Sequence, residues 1–219
     1  MPEVQERREQ FCSELPGLTS SIATPCSRFS YLERSIRTKE KRGAVMTHAA
    51  LHGESLMSAE VQRIGFGGGC HWCTEAVFAA LRGIIRVEQG FIRADAPDDN
   101  FSEGVLLTFQ PDTISLGSLI EIHLRTHSST SNHFMRRKYR SAVYVKDEVQ
   151  AEVARRVLME VGPGFDAPLV TRILPFRAFK ASDERFQRYA EKNAGGPFCT
   201  TYIDPKLALL RKEFGGLLR

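Results

Sequence analysis

Between Val61 and the C-terminus, short apolar runs alternate with longer stretches of helical spacing, and this predicts an α+β domain. Two further observations support the prediction. Gly and Pro clusters punctuate the runs at Gly67-Gly68-Gly69, Pro111, Gly162-Pro163-Gly164 and Gly195-Gly196-Pro197. With 42% hydrophobic and 26% charged residues among 219, the chain can also bury a full core.

Taken in order, Val61 to Phe66 reads as a strand and His71 to Leu81 as an amphipathic helix ended by Gly83. Ile84 to Ile92 follows as a strand with Ile85, Val87 and Gln89 on one face. Pro97 lies in an acidic loop, and Gly104 to Phe109 is a short strand stopped by Pro111, with Glu103 at its start. Ser115 to Thr126 predicts a helix capped by Thr113 or Ser115, with Leu116, Leu119, Ile120, Ile122 and His123 as candidates for its buried side. After a polar, basic loop from His127 to Lys138 come a strand, Tyr139 to Val145, and a helix, Lys146 to Val161. Leu169 to Leu174 is a further strand, a Ser182-capped helix runs to about Asn193, and Pro205 to Leu218 is the last helix. The order β-α-β-β-α-β predicts a ferredoxin-like split βαβ core, a two-layer sheet with helices, plus C-terminal helical additions.

Residues 1–57 differ in kind. Ser, Thr and charges are mixed, Pro16 and Pro25 interrupt, and helical periodicity is weak, which predicts a flexible or partly helical extension before a catalytic domain at 58–219. Met46 and Met57 are alternative translation starts, and Cys12 and Cys26 of the extension carry no assigned chemistry.

The net charge of +4 does not call for nucleic acid, and no apolar run is long enough for a membrane span. Five cysteines, an odd number at irregular spacing, do not form a secreted disulfide framework. Glu3, Glu6 and Glu9 stand where a signal or transit peptide would be basic. A reducing, cytoplasmic setting is expected.

The chemistry centres on Gly69-Cys70-His71-Trp72-Cys73-Thr74-Glu75, where strand, glycine turn and helix meet. A cysteine at a helix start faces unsatisfied N–H groups and the positive end of the helix dipole, which favour the thiolate. Cys70 and Cys73 have three readings: a redox dithiol, half of a zinc site, or a nucleophilic Cys70 beside an inward-facing Cys73. Zinc would need further ligands, for which only Cys199, His71 or His133 are at hand. Glu103, between Phe101 and Val105, is a carboxyl whose desolvation would raise its pKa and let it donate a proton, with the Tyr139 hydroxyl alongside. Arg136-Arg137-Lys138 is a solvated surface run or an attractor of acidic partners and substrate carboxylates.

Together these segments resemble the peptide methionine sulfoxide reductases of the A type. Cys70-His71-Trp72-Cys73-Thr74-Glu75 resembles the family's Cys-Phe-Trp-Gly-x-Glu, and Val87-Glu88-Gln89-Gly90-Phe91 its Val-x-x-Gly-Tyr. Phe101-Ser102-Glu103-Gly104-Val105 is similar to its His-x-Glu-Val-Val, and Tyr139-Arg140-Ser141-Ala142-Val143-Tyr144 to its Tyr-Arg-Ser-Ala-Ile-Tyr. Gly196-Pro197-Phe198-Cys199 is similar to its C-terminal Pro-x-Gly-Tyr-Cys.

The resemblance implies reduction of methionine-S-sulfoxide, peptidyl or free, without cofactor or metal. Cys70 attacks the sulfoxide sulfur, Glu103 and Tyr139 protonate the oxygen, and Cys70 becomes a sulfenic acid. Cys199 or Cys73 then resolves it as a disulfide, with Cys199 preferred by position, and thioredoxin or an equivalent dithiol reduces the product. His71, Trp72, Phe101 and His133 would line the substrate pocket. The chain departs from the family at Cys73, which replaces a Gly, and at Phe134, which replaces an Asp; its loops before Glu103 and Tyr139 are also shorter. The competing classes are a general Cys-x-x-Cys thiol-disulfide oxidoreductase and a non-catalytic redox sensor.

Overall fold

Six strands form one sheet in the computed structural model, which describes residues 60–219. The expectations for the N-terminal extension, Cys12 and Cys26 included, lie outside the described residues. Strand β1 (Gln62–Gly67) leads into helix α1 (His71–Ala79), followed by β2 (Ile84–Arg93), β3 (Ser102–Phe109), α2 (Leu116–Thr126), β4 (Ala142–Val145) and α3 (Glu148–Val161). Two short strands follow, β5 (Arg172–Pro175) and β6 (Ala178–Ala181), then a one-turn helix α4 (Tyr189–Lys192), a π-helical turn at Cys199–Ile203 and helix α5 (Asp204–Phe214).

The strand order is β5-β4-β1-β3-β2-β6. Its central four, β4-β1-β3-β2, are antiparallel to their neighbours, as a split βαβ core requires. Each edge then gains a strand, β5 parallel to β4 and β6 antiparallel to β2, so the C-terminal additions are part sheet and part helix.

Alternation along the strands divides the sheet into two faces. Ile64 and Phe66 of β1, Val105, Leu107 and Phe109 of β3, and Val143 and Val145 of β4 bury against Val77 and Phe78 of α1, Leu119 and Ile120 of α2, Ala154 of α3 and Leu210 of α5. Full burial of one such large side chain contributes about 1.5–3 kcal/mol. The opposite face carries a smaller cluster of Ile92, Ala142, Tyr144 and Leu174 under Phe176 and Phe179.

Several local expectations change, each for a physical reason. In β2 a bulge between Ile84 and Arg86 puts Ile84 and Val87 opposite Phe109 and Leu107, on one face, and turns Ile85 out to 52% exposure. Strand β3 begins at Ser102 and so takes in Glu103, whose amide bonds Lys138 O at 2.9 Å. Strand β4 begins at Ala142, because the amide of Arg140 goes to Ser102 Oγ at 2.9 Å instead of to a neighbouring strand. The expected helix from Ser182 to Asn193 is a 3-10 turn at Glu184–Phe186 followed by α4; Asp183, not Ser182, caps the turn, and Arg188 at φ 55° breaks the run. Strand β6 carries no alternation to read, and helix α5 ends at Phe214, where Gly215 and Gly216 tighten the chain into a 3-10 turn.

Candidate active site

The turn from β1 into α1 is held by groups that need glycine. Gly69 has φ +120°, a conformation that side chains rarely adopt. A Cβ on Gly68 would stand 2.5 Å from the His127 ring, and one on Gly67 would stand 2.6 Å from Arg140 O. His123 Nε2 donates to Gly67 O at 2.9 Å. Burial pushes the His123 imidazole down to about 3 and His127 well below its ordinary value, so both rings are neutral at neutral pH. Neutrality fixes the protons. His127 donates from Nδ1 to His123 O at 2.5 Å, so its Nε2 accepts from Ser141 Oγ at 2.8 Å, and Ser141 Oγ accepts from Thr171 Oγ1 at 2.8 Å. The two imidazoles stack at 4.0 Å, and His123 also lies 4.7 Å from the Phe66 ring.

This scaffold presents Cys70 at the N-cap of α1 with extended backbone, φ −63° and ψ 123°. Its carbonyl receives the Thr74 amide and the Thr74 hydroxyl, both at 3.3 Å, which closes the first helical turn. Cys70 is half-buried at the end of the dipole that favours a thiolate.

Glu103 is buried, and its carboxyl lies beside the residue that follows Cys70: His71 Nδ1 is 3.5 Å from Glu103 Oε2. The same nitrogen is 3.2 Å from Gly90 O, and the His71 ring meets Phe91 edge-on at 5.8 Å. Lys138 Nζ approaches the other carboxyl oxygen to 3.9 Å and lies 4.9 Å from the Tyr139 ring centre. Tyr139 is buried one residue after the carbonyl that receives the Glu103 amide.

Trp72 forms an aromatic wall. Its ring stacks on Tyr189 at 3.9 Å with an interplanar angle of 5°, meets Phe198 edge-on at 5.4 Å and lies 6.5 Å from Phe186. Cys199 follows Phe198 directly and opens the π-helical turn, so the Trp72 contact ties its segment to α1. Burial, with Asp204 adding to it, pushes the Cys199 thiol up. Cys73 is buried one turn into α1, with Sγ 3.9 Å from Tyr202 O in the same π-helical turn. Among the described residues Cys70, Cys73 and Cys199 are not joined in a disulfide.

Two residues anchor the segment between β6 and the Cys199 turn. Glu75 accepts the amides of Arg188 at 2.7 Å and Tyr189 at 3.1 Å; its burial holds its carboxyl above the usual range despite those amides. Gln89 exchanges bonds with Gln187 at 3.0 and 2.8 Å and donates from its side chain to Phe186 O.

The structure thus brings Cys70, His71, Trp72 and Glu103 to one end of the sheet, with Tyr139 beside Glu103 and the turns of Cys73 and Cys199 in contact. Phe101 is 44% exposed, with the Arg93 guanidinium 5.7 Å over its ring. His133 is half-buried at the start of the 3-10 turn Phe134–Arg137; desolvation, with Arg136 nearby, pushes its imidazole below the ordinary value. Sequence reasoning had no place for Tyr189, Glu75 or Gln89. Three aromatics at irregular spacing in a Gly- and Pro-bearing segment, Phe186, Tyr189 and Phe198, were the available signal of a wall rather than a helix stripe.

Comparison with known proteins bears on the whole of this domain. The family model described as peptide methionine sulfoxide reductase matches residues 62–216. The peptide methionine sulfoxide reductase MsrA of Deinococcus radiodurans is 35% identical over 178 residues, covering 74% of this chain and 86% of its own. That of Chromobacterium violaceum is 34% identical, covering 70% and 96%. Among solved structures, reduced Mxr1 from Saccharomyces cerevisiae superimposes with a TM-score of 0.56 at 23% identity, covering 66% of this chain and 92% of that one. Methionine sulfoxide reductase A of Corynebacterium diphtheriae gives 0.54 at 23%, covering 61% and 75%, and both likenesses bear on the fold alone. With the family model spanning the sheet, the glycine turn and the Cys199 segment, the chain belongs to the peptide methionine sulfoxide reductase family.

Proposed function

We propose that the chain reduces methionine-S-sulfoxide to methionine with Cys70 as nucleophile and Glu103 as proton donor. The observation that carries the assignment is the buried Glu103 carboxyl 3.5 Å from His71, next in sequence to a cysteine at the N-terminus of α1. The Cys70 thiolate forms a bond to the sulfoxide sulfur. The S–O bond then breaks with its electron pair going to oxygen, which takes a proton from Glu103 with Tyr139 assisting. The released hydroxide, or a water in its place, bonds the Cys70 sulfur as the S–S bond to the sulfonium breaks with its electron pair going to the methionine thioether. Cys70 is left as a sulfenic acid, oxidised by the two electrons that the substrate gains. Cys199 attacks that sulfur, water leaves, and the disulfide is returned to two thiols by thioredoxin or an equivalent dithiol.

Trp72 supplies the apolar wall for the S-methyl group. Its stacking on Tyr189 fixes the wall in place, which supports this role. His71 stands where the family's Phe would be, and its contact with the carboxyl supports a role in holding Glu103. The catalytic domain is proposed to span 58–219 after an extension at 1–57, and the irregular cysteine set supports a reducing, cytoplasmic setting.

A second reading concerns the resolver. Cys73 lies one turn from Cys70 and touches the π-helical turn through Tyr202 O, which would let it form the disulfide without a large displacement.

Turnover of the S and R epimers of a methionine sulfoxide peptide with dithiothreitol tests the assignment. Reduction of the S epimer alone, abolished in Cys70→Ser, is expected; a Cys70→Ser protein of full activity sinks it. Mass mapping after one turnover is expected to find Cys70 joined to Cys199. A Cys70–Cys73 bond that persists in Cys199→Ser transfers the resolving role to Cys73.

A further inference from the structure

The reaction leaves one feature of the sequence without a role, the basic run Arg136-Arg137-Lys138. Its first two residues line a cleft of about 420 Å³ together with Asp98, Asn100, Arg140 and Arg172. Four guanidinium groups against the single carboxylate of Asp98 leave this lining strongly positive. Asp98 is already engaged: Arg140 Nε lies 3.1 Å from it, and Arg172 donates to Oδ1 at 2.8 Å and brings Nη2 within 2.6 Å of Oδ2. Arg140 is fixed further by Asn100 Oδ1 at 2.6 Å and the Tyr144 hydroxyl at 3.2 Å.

The other two guanidiniums have no such counter-charge. Among the described residues Arg136 donates only to carbonyl oxygens, those of Ser128, Ser131 and Tyr139, and burial pushes it down to about 10. Arg137 is exposed, and among the described residues its side chain makes no hydrogen bond or ion pair. A half-buried cation satisfied by carbonyls, beside an exposed planar fork, is suited to a carboxylate, which guanidinium groups bind with two parallel bonds.

The cleft adjoins the segment that carries Tyr139. Arg136 Nη1 bonds the carbonyl of Tyr139, Arg140 and Ser141 line the cleft directly after Tyr139, and Lys138 carries positive charge on to Glu103 Oε1 at 3.9 Å. We propose that this cleft binds the carboxylate of an acidic side chain flanking the methionine sulfoxide in an oxidised polypeptide, so that the protein selects acidic segments. The proposal rests on the reading of Cys70 and Glu103 above and adds a substrate class to it.

The test uses peptides whose methionine sulfoxide is flanked by Glu, Gln or Lys, assayed at low and high salt with the full chain and with Arg137→Glu. At low salt kcat/KM is expected to favour Glu over Gln by about tenfold, with Lys lowest. High salt should bring the three together, and Arg137→Glu should reverse their order. Equal values for all three peptides at low salt overturn the proposal. Anisotropy of labelled peptides carrying unoxidised methionine reads the cleft without turnover. Tighter binding of the Glu peptide, lost in Arg137→Glu, supports the cleft even in a preparation that reduces no sulfoxide. Equal binding of Glu and Gln peptides overturns it. Displacement of the Glu peptide by micromolar citrate assigns the cleft to free polycarboxylates and overturns the polypeptide assignment.

Discussion

Around Cys70 the chain passes from the centre of the sheet into α1 through glycines pinned by two neutral imidazoles and by the backbone of Arg140. The chain that carries Cys199 reaches the same end of the molecule through a 3-10 turn, a single helical turn and a π-helical turn, and side chains hold it there: Glu75, Gln89 and the Trp72–Tyr189 stack. The first region is fixed by tertiary structure on every side. The second is fastened at a few points by groups that can let go singly. The proposed nucleophile, Cys70, meets its substrate in one geometry and suits the first construction; the proposed resolving thiol, Cys199, travels to a sulfenic acid and suits the second.

Four predictions break or sharpen this contrast. The largest effect is expected in the fixed region: Glu103→Gln should lower kcat by roughly 10²–10⁴-fold with little change in KM, as loss of a general acid does. Single-turnover methionine release measures it.

Next, Glu75→Ala should free the fastened region. The buried Tyr189 amide and the part-buried Arg188 amide lose their acceptor, and the buried one left unsatisfied costs about 1–3 kcal/mol. Hydrogen exchange should accelerate at Arg188 and Tyr189 while the β1–β3 amides stay protected. Uniform acceleration across the sheet would show that the two regions unfold as one.

The third prediction concerns pH. With the Cys199 thiol pushed above its ordinary value, the thiolate fraction gains about tenfold per pH unit below its pKa. Disulfide closure should therefore keep accelerating with pH beyond the range in which an ordinary thiol has fully ionised; stopped-flow measurement of the closure phase against pH checks it.

The smallest effect is on stability in acid. His123 and His127 bind protons in the unfolded chain near pH 6.5 but resist them when folded, so the unfolded state holds more protons below that pH. Their contribution is fully present above pH 6.5 and falls as pH drops towards the folded value, about 3 for His123. Urea titrations between pH 7 and 5 should show stability declining on the acid side, less steeply in His123→Phe.

The central sheet and the position of Cys70 at a helix start were legible because they follow local rules. α2 and α3 are periodic and capped, Ser115 and Asp147 each receiving an amide three residues on. Cys70 announced itself through the glycines that its turn requires. The fastened region was not legible, because its geometry is set by partners remote in sequence. Arg188 turns left-handed where Glu75, 113 residues earlier, receives its amide, and Tyr189 stacks on a tryptophan from the first helix. Ile85 was misassigned because a bulge changes the face of a strand with no mark in its apolar pattern. His71 was read as a candidate zinc ligand or a pocket residue standing where the family has Phe, and its carboxylate partner comes from β3, remote in sequence.

The π-helical turn that begins at Cys199 has one further consequence. Such a turn holds one residue more than an α-helical turn of the same chain, and each residue of an α-helix advances the winding by about 100°. Shifting that surplus residue out of the Cys199–Ile203 turn would swing Cys199 around the helix axis by roughly that angle while α5 stayed seated on the core through Leu210. The turn works as a crank, and the thiol at its end can be re-aimed without the helix behind it being unpacked.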